Sequence, residues 1–126
     1  MKPILLLDTH IALWWFAGDA RLPATACKLI QSSRCRVSLA SLWEVAIKYR
    51  LNKLPVSPKE FLAAIEGAAM QLLPIQPIHV VSTSDLPLLH GDPFDRLLVA
   101  QSRAESLLLL TADARLEAYG GPIRIV

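Results

Sequence analysis

The chain has 126 residues, a formal net charge of +2 and a hydrophobic fraction of 53%. This length predicts one domain, residues 1–126, which is large enough to bury a core without disulfides or structural zinc. No apolar run reaches the roughly 20 residues that span a bilayer, so we expect a cytoplasmic protein with no membrane partner. The apolar excess predicts a surface for self-association or for another protein as well as a core.

Strands and helices alternate along the chain. In the first half of the chain, the hydrophobic pattern predicts a strand at residues 4–7, helices at 11–16 and 23–32, a strand at 36–40, and helices at 41–51 and 58–70. In the second half it predicts a strand at 78–81, a helical or irregular link at 84–89, a helix from 92 to about 105, a strand at 107–110, a short helix at 113–118 and a last strand at 123–126. This alternation predicts an α/β fold, a three-layer α/β/α sandwich with a mostly parallel central sheet.

Four acidic residues stand where a predicted strand gives way to a helix or turn: Asp8, Glu44, Asp95 and Asp113. In a parallel α/β sheet, side chains at the carboxyl ends of the strands converge from distant parts of the chain. Carboxylates held together repel one another, and a hard divalent cation with oxygen ligands relieves that repulsion. The pattern therefore predicts a site for magnesium or manganese.

Each of these acids has an alternative role as a helix cap. Ser41 and Glu44 have the spacing of a capping box, with Ser41 as the N-cap. Asp92 is placed as an N-cap with Asp95 in the first turn behind it, and Asp113 is placed to cap the short helix that follows. The first acid of the chain fits a cap least well, because it directly follows a predicted central strand where solvation is poor.

Basic residues are expected around the acidic pocket. If the acids gather in one place, Lys48, Arg50 and Lys53 lie close together on the remaining surface, with Arg34 and Arg36 nearby. Such a surface suits a phosphate backbone. The alternative is a solvated helix face, on which Lys48 pairs with the acid four residues before it.

Three tryptophans, Trp14, Trp15 and Trp43, stand among apolar residues near the first and second acids. Stacking on nucleobases is one role for such side chains. Packing in the core or at a protein interface is favoured instead, because buried aromatic side chains dominate both.

Four segments of the chain together resemble a known family. They are LLDTH at residues 6–10, SLWEVAIK at 41–48, HGDPFDRLLVAQ at 90–101 and LTAD at 110–113. In order and approximate spacing they resemble the PIN domain of the VapC-type toxins over essentially the whole chain, and the third segment is the most specific. The resemblance implies a ribonuclease that depends on Mg²⁺ or Mn²⁺, is neutralised by a small cognate antitoxin and often forms a homodimer.

By position, the resemblance assigns the family's acidic quartet to Asp8, Glu44, Asp95 and Asp113, with Asp92 as an additional acid. Metal-bound water attacks the phosphodiester, and the metal neutralises charge on the phosphate oxygens. We expect Asp8 and Asp95 to be the main ligands. Glu44 and Asp113 would bind a second ion or act through water.

Other residues of these segments are expected to assist. Thr9 and Thr111 would orient carboxylates or phosphate through hydrogen bonds. Arg96 would contact phosphate or form a structural ion pair. His10 and His90 are expected to be structural or supporting, because metal activation of water requires no histidine base.

Other classes of function fit the sequence less well. A phosphoryl-accepting signalling module needs a lysine at a late strand end, where this chain has Thr111, Ala112 and Asp113. An aspartate-nucleophile phosphatase favours a second acid two places after the first, where His10 stands. A non-catalytic interaction module, whose acids only cap helices, is the main alternative to the nuclease.

Overall fold

The computed structural model describes residues 3–89 and 91–126, so Met1, Lys2 and His90, and with them the predicted role of His90, lie outside the described residues. The strands are β1 (Leu5–Leu7), β2 (Cys35–Ser38), β3 (Gln71–Leu73), β4 (Leu108–Thr111) and β5 (Ile123–Ile125). The α-helices are α1 (Thr9–Ala17), α2 (Ala24–Gln31), α3 (Leu39–Arg50), α4 (Pro58–Gly67), α5 (Pro77–Ser82) and α6 (Pro93–Glu105), with 3₁₀ segments at Thr83–Asp85 and Ala114–Tyr119. Within the described ranges, none of these helices is long and apolar enough to cross a membrane.

The strands form one parallel sheet in the order β3-β2-β1-β4-β5. Strand β1 is central, with Leu7 beside Val37 of β2 and Leu110 of β4. Because every pairing is parallel, the carboxyl ends of all these strands meet at one edge of the sheet. The predicted α/β fold with a parallel central sheet is confirmed.

The sheet is covered by helices on both faces, because successive strand residues point to opposite sides. Leu5 and Leu7 pack against helices α1 to α4 through the buried side chains Ile11, Ile30, Val45 and Phe61. Leu6 packs on the other side against α6 and the second 3₁₀ segment, through Leu98, Val99 and Leu116. Burial on both faces explains why the strands read as continuous apolar runs rather than as alternating patterns.

The sequence prediction of a strand at residues 78–81 is wrong. Those residues belong to α5, which has Pro77 in its first turn and His79 buried, while Ile78, Val80 and Val81 are exposed. The third strand is instead β3, and α4 ends at Gly67, earlier than predicted, to leave room for it. The β-branched run favours a strand locally, but a proline with a fixed φ is well suited to a helix start.

Helix α3 begins at Leu39 rather than at residue 41. Its N-cap is Ser38, whose hydroxyl oxygen accepts the N–H of Ala40 at 3.0 Å. Ser41 therefore lies buried inside the helix, and the predicted capping box between Ser41 and Glu44 is wrong. Serine is a good N-cap at either position, so the sequence offers two helix starts and the sheet register selects the earlier one.

Two other helix ends follow the sequence prediction. Gly18 ends α1 in the left-handed region, with a φ of 63°, where glycine carries no Cβ penalty. Asp92 caps α6, with Pro93 in the first turn, and its Oδ1 accepts the N–H of Phe94 at 2.8 Å. Each of these helix ends is set by residues that are neighbours in the sequence, so tertiary packing does not shift it.

A buried polar network joins the end of β2, where α3 begins, to α5 and α6. The Ser38 hydroxyl donates to Gln101 Oε1 at 2.6 Å, and Gln101 Nε2 lies 3.3 Å from His79 Nδ1. The backbone N–H of Gln76 also donates to His79 Nδ1, at 2.9 Å. Nδ1 is therefore an acceptor, which places the ring hydrogen on Nε2, 3.0 Å from the Glu105 carboxylate. Ser38, His79 and Gln101 are fully buried, so each depends on these partners.

Replacing Gln101 by leucine should destabilise the fold, because the buried Ser38 hydroxyl and the His79 ring would each lose a partner. We expect the free energy of unfolding to fall by about 1–3 kcal/mol, the range for an unsatisfied buried polar group. Urea denaturation measures the change, and Gln31→Leu on the exposed face of α2 is the matched control. Equal stability of the two variants would show that the network carries no net stabilisation.

Candidate active site at the carboxyl end of the sheet

Acidic side chains from four parts of the chain meet at the carboxyl edge of the sheet. Asp8 directly follows β1, Glu44 lies in α3, Asp92 and Asp95 begin α6, and Asp113 follows β4. They line one cleft of about 370 Å³, together with His10, Trp14, Lys48, Ala112 and Arg115. The structure thus brings together every acid that the sequence singled out, while their catalytic role stays a prediction.

Asp8 is held by hydrogen bonds from both sides. Its Oδ1 accepts the N–H of Thr9 at 2.7 Å, which makes Asp8 the N-cap of α1. Its Oδ2 accepts the hydroxyl hydrogen of Thr111 at 2.7 Å. Burial raises the pKa of Asp8, and the hydrogen bonds from Thr111 and Thr9 oppose that rise. The Thr9 N–H and the Thr111 hydroxyl therefore orient the carboxylate and favour its charged form, while the supporting role of the two threonines in catalysis stays a prediction.

Glu44 is buried, and each of its carboxylate oxygens has a partner from the chain. Oε1 lies 2.7 Å from the Thr9 hydroxyl, which is also 2.8 Å from the Ser41 hydroxyl oxygen. Oε2 accepts from Lys48 Nζ at 2.6 Å. Partial burial opposes the charge on Lys48, but the hydrogen bond and the attraction of Glu44 outweigh it and raise the Lys48 pKa. Lys48 is thus a resident cation in the wall of the acidic cleft.

The pKa of Asp95 is strongly raised. Burial, followed by repulsion from Asp8, Asp92, Glu44 and Asp113, raises the pKa of Asp95 to about 7. Asp8 acts on it more strongly than the other three carboxylates do. A pKa shifted by several like charges and by burial is typical of functional sites.

Asp113 combines a capping role with an ion pair. Its Oδ1 accepts the backbone N–H of Arg115 at 3.0 Å and so caps the second 3₁₀ segment. The Arg115 guanidinium donates to both carboxylate oxygens, at 3.0 and 2.8 Å. The N–H of Asp113 donates to Thr111 Oγ1, which links this acid to the hydrogen bonds around Asp8. The cap interpretation of Asp113 is therefore correct, and it coexists with a place in the cleft.

Arg96 does not line the cleft. Its guanidinium donates to the backbone oxygens of Pro87 and Thr83, each at 2.8 Å, and to the Tyr119 hydroxyl at 3.2 Å. The side chain therefore fixes the segment between α5 and α6, which is neither the phosphate contact nor the ion pair expected from the sequence. Guanidinium groups satisfy several carbonyl oxygens at once, and no local pattern reveals that they are within reach.

The predicted basic surface is only partly present at the cleft. Lys48 lines it, but Arg34 and Arg36 line a separate cavity of about 640 Å³ with Ile4 and Met70, near the amino ends of β1, β2 and β3. They lie at the opposite edge of the sheet because β2 runs from Cys35 towards Ser38. The sequence analysis also missed Arg115, whose signal is its position two residues after Asp113 in a cap.

The tryptophans differ in their surroundings. Trp14 and Trp15 are partly buried, pack against the core, and line an apolar groove of about 510 Å³ beside α2. Trp14 also lines the acidic cleft, so the groove and the cleft share a wall. Trp43 is 60% exposed and meets Phe94 edge to face, so packing in the core of the chain is wrong for this residue.

The donors in the cleft suit a hard divalent cation, because they are carboxylate oxygens whose repulsion such an ion relieves. Among the described residues, no three acidic, histidine or cysteine side chains are close enough to enclose an ion as they stand. Glu44 and Asp113 are instead engaged by Lys48 and Arg115. Asp8 and Asp95 are the residues that would hold a metal, because the donors to Asp8 are uncharged and Asp8 is the acid that repels Asp95 most strongly.

The protein is an α/β protein with a parallel sheet and an acidic cluster at the carboxyl edge of that sheet. Sequence comparison identifies its family. The PIN domain family matches residues 5–122, so the chain belongs to that family, and the resemblance seen in the sequence is confirmed. Ribonuclease VapC22 of Mycobacterium tuberculosis (strain ATCC 25618 / H37Rv) is 29% identical over 122 residues, which cover 94% of this chain and 93% of the relative.

Solved structures share the fold at lower sequence identity. VapBC2 from Rickettsia felis, bound to a DNA fragment from its promoter, has a TM-score of 0.71 and 14% identity, covering 97% of this chain and 98% of that one. A toxin-antitoxin complex from Klebsiella pneumoniae has a TM-score of 0.67 and 16% identity, covering 95% of each chain. Mycobacterium tuberculosis VapC20, a sarcin-ricin loop cleaving toxin, has a TM-score of 0.61 and 20% identity, covering 92% and 95%.

The raised pKa of Asp95 predicts how the stability of the metal-free protein depends on pH. Between the ordinary carboxyl pKa of 3.8 and about 7, the folded state keeps a proton on Asp95 that the unfolded state has lost. The free energy of unfolding should therefore fall as pH rises through this window. Urea denaturation in EDTA at pH 5, 6, 7 and 8 measures the slope, and Asp95→Asn should flatten it. Parallel profiles for the two proteins would contradict the assignment.

Proposed function

We propose that the chain is a divalent-metal-dependent endoribonuclease and the toxin of a type II toxin-antitoxin pair, acting in the cytoplasm as a single domain of residues 1–126. The observation that carries the proposal is the convergence of the acids on one cleft, where burial of Asp95, together with repulsion from the neighbouring carboxylates, raises its pKa to about 7. Such crowding is unfavourable unless a cation or a functional requirement maintains it. VapC22 is a ribonuclease and VapC20 is a sarcin-ricin loop cleaving toxin, which supports RNA as the substrate class.

The residues of the cleft have different roles in phosphodiester hydrolysis. A bound Mg²⁺ or Mn²⁺ supplies activated water and neutralises charge on the phosphate oxygens. Asp8 and Asp95 would hold the ion, and the Thr9 N–H and the Thr111 hydroxyl orient Asp8 and oppose the rise in its pKa. Asp92 fixes the first turn of α6, which carries Asp95, by capping the N–H groups of that turn.

The groove beside the cleft supports docking of an antitoxin. It is lined by Trp14, Trp15, Leu22 and Cys27, and Trp14 belongs to the cleft as well. An amphipathic segment in this groove would place a basic side chain among the acids, combining apolar contact with charge complementarity. The VapBC2 and Klebsiella pneumoniae structures are toxin-antitoxin assemblies with this fold, which supports an antitoxin partner.

A second surface supports homodimer formation. Large apolar side chains are exposed on α5 and in the segment after it: Ile78, Val80, Val81, Leu88 and Leu89. Clusters of exposed apolar side chains mark interaction surfaces in soluble proteins. The apolar excess of the sequence is therefore accounted for by the core, the groove and this surface.

A non-catalytic interaction module is the second candidate function. It is favoured by the finding that Asp8, Asp92 and Asp113 each cap a helical segment, so that capping accounts for part of the acidic pattern. Capping does not account for Glu44, which lies inside α3, or for the convergence of all the acids on one cleft. Metal-dependent cleavage of RNA separates the two candidates.

Asp8→Asn and Asp95→Asn should each lower RNA cleavage by at least about 100-fold, because each removes a charged metal ligand while keeping the size of the side chain. Cleavage of total RNA or a fluorogenic oligonucleotide in Mg²⁺ or Mn²⁺ measures the loss, and EDTA should abolish the wild-type activity. Circular dichroism should show that both variants are folded. Full activity in either purified variant would rule out the assigned ligands.

Trp15→Gln should weaken binding of the cognate antitoxin more than it weakens RNA cleavage, because Trp15 lines the groove but not the acidic cleft. Loss of one aromatic anchor is expected to cost about 2 kcal/mol or more of binding free energy. Titration calorimetry measures antitoxin binding, and Trp43→Gln, far more exposed and outside the groove, is the control. Equal antitoxin affinity of the two variants would place the antitoxin elsewhere.

A further inference from the structure

We infer that Lys48 is a phosphate-binding residue of this site and that Glu44 serves to hold it there, instead of coordinating a metal ion directly. The inference rests on the proposed nuclease function and specifies which residue supplies the second positive charge. Lys48 provides that charge in place of a second divalent ion, so the site needs one ion per chain.

The bonding of Glu44 argues against direct coordination. Its two carboxylate oxygens are engaged by the Thr9 hydroxyl at 2.7 Å and by Lys48 Nζ at 2.6 Å. A divalent ion bound at the second oxygen would stand beside the ammonium group, and the two positive charges would repel each other strongly in a partly desolvated cleft. Asp8 differs, because the donors to its two oxygens are the uncharged Thr9 N–H and Thr111 hydroxyl. The Glu44 carboxylate is therefore committed to Thr9 and Lys48.

The position of Lys48 suits it to a substrate phosphate. Its side chain is 32% exposed, whereas that of Glu44 is 5% exposed, so the pair has one buried end and one end open to the cleft. The two residues are spaced i, i+4 on α3, which fixes their separation. An ammonium group has three N–H donors, and the contact with Glu44 uses one direction. The cleft that Lys48 lines also contains Asp8 and Asp95, so a phosphate held at those acids lies within the same cavity.

Arg115 is a weaker candidate for the same role. Its side chain is 72% exposed, and its guanidinium is folded back on Asp113 two residues earlier. The charge on an exposed side chain of this kind is strongly screened by solvent and salt. Lys48 is instead anchored to a buried carboxylate, so its charge is fixed before substrate arrives, and fixed charge stabilises a transition state without reorganisation.

The test compares Lys48→Met, Lys48→Arg and Glu44→Gln with Lys59→Met, an exposed lysine that does not line the cleft. Titration calorimetry with Mn²⁺ alone gives the number of ions bound per chain, and cleavage of a fluorogenic RNA oligonucleotide at several salt concentrations gives kcat and KM. We expect one Mn²⁺ per chain in the wild type, in both Lys48 variants and in Glu44→Gln.

Lys48→Met and Glu44→Gln should lower kcat/KM by roughly 10- to 100-fold, as for loss of one charge-assisted hydrogen bond, with Lys48→Arg retaining most activity. In Lys48→Met, the slope of log kcat/KM against log salt should fall by about 0.7, the value for one phosphate contact with a single strand. Lys59→Met should match the wild type. Melting temperatures identify a variant that does not fold, and Lys48→Arg and Glu44→Gln then carry the comparison.

The inference is overturned if the wild type binds two Mn²⁺ per chain, if Glu44→Gln loses Mn²⁺ binding, or if Lys48→Met cleaves RNA as Lys59→Met does. In those cases the wild type still cleaves RNA, and the proposed nuclease function stands. Absence of cleavage by the wild type in both Mg²⁺ and Mn²⁺ overturns the proposed function itself, and the inference with it.

Discussion

Electrostatic repulsion among carboxylates is the constraint on which the organisation of this protein depends. The fold brings Asp8, Glu44, Asp95 and Asp113 to one edge of the sheet. Burial and repulsion from the other acids together raise the pKa of Asp95 to about 7. Several contacts offset the repulsion: the hydroxyls of Thr9 and Thr111, the positive ends of helices, and the cations Lys48 and Arg115. The protein thus stabilises the site without removing the negative potential that would attract a metal ion.

Capping and metal binding are compatible roles for an acid in this architecture. Each parallel strand ends at the edge where the next helix begins, so a carboxylate that caps that helix also faces the crevice. Asp8 and Asp113 illustrate this, because each accepts a backbone N–H and also lines the cleft. Glu44, inside α3, and Asp95, in the first turn of α6, line the cleft without being the residues that cap these helices. Capping therefore does not exclude an acid from the cleft, and metal binding by these acids stays a prediction.

Hydrogen bonds outside the cleft maintain its geometry. Ser38 caps α3 and donates to Gln101 of α6, so the helix that carries Glu44 is tied to the helix that carries Asp95. His79 extends the network to α5, and Arg96 ties the segment that follows α5 to α6. Buried hydrogen bonds of this kind fix relative positions because leaving either partner unsatisfied is unfavourable. The acids are thereby held on rigid elements at positions set by the sheet.

The sequence by itself determined the features that neighbouring residues create: the α/β alternation, the Asp92 cap with Pro93, the end of α1 at Gly18, and the placement of the acids where elements meet. Tertiary structure decided which three-residue run became the edge strand, and it left the β-branched residues of α5 in a helix. It also drew Arg96 to backbone oxygens of the 83–89 segment, placed Arg36 at the far edge of the sheet, and brought the local pair of Lys48 and Glu44 into the cleft with the other acids. Local signals depend on residues within one helical turn, whereas strand selection and long side-chain contacts depend on packing between elements distant in the chain, which no single segment encodes.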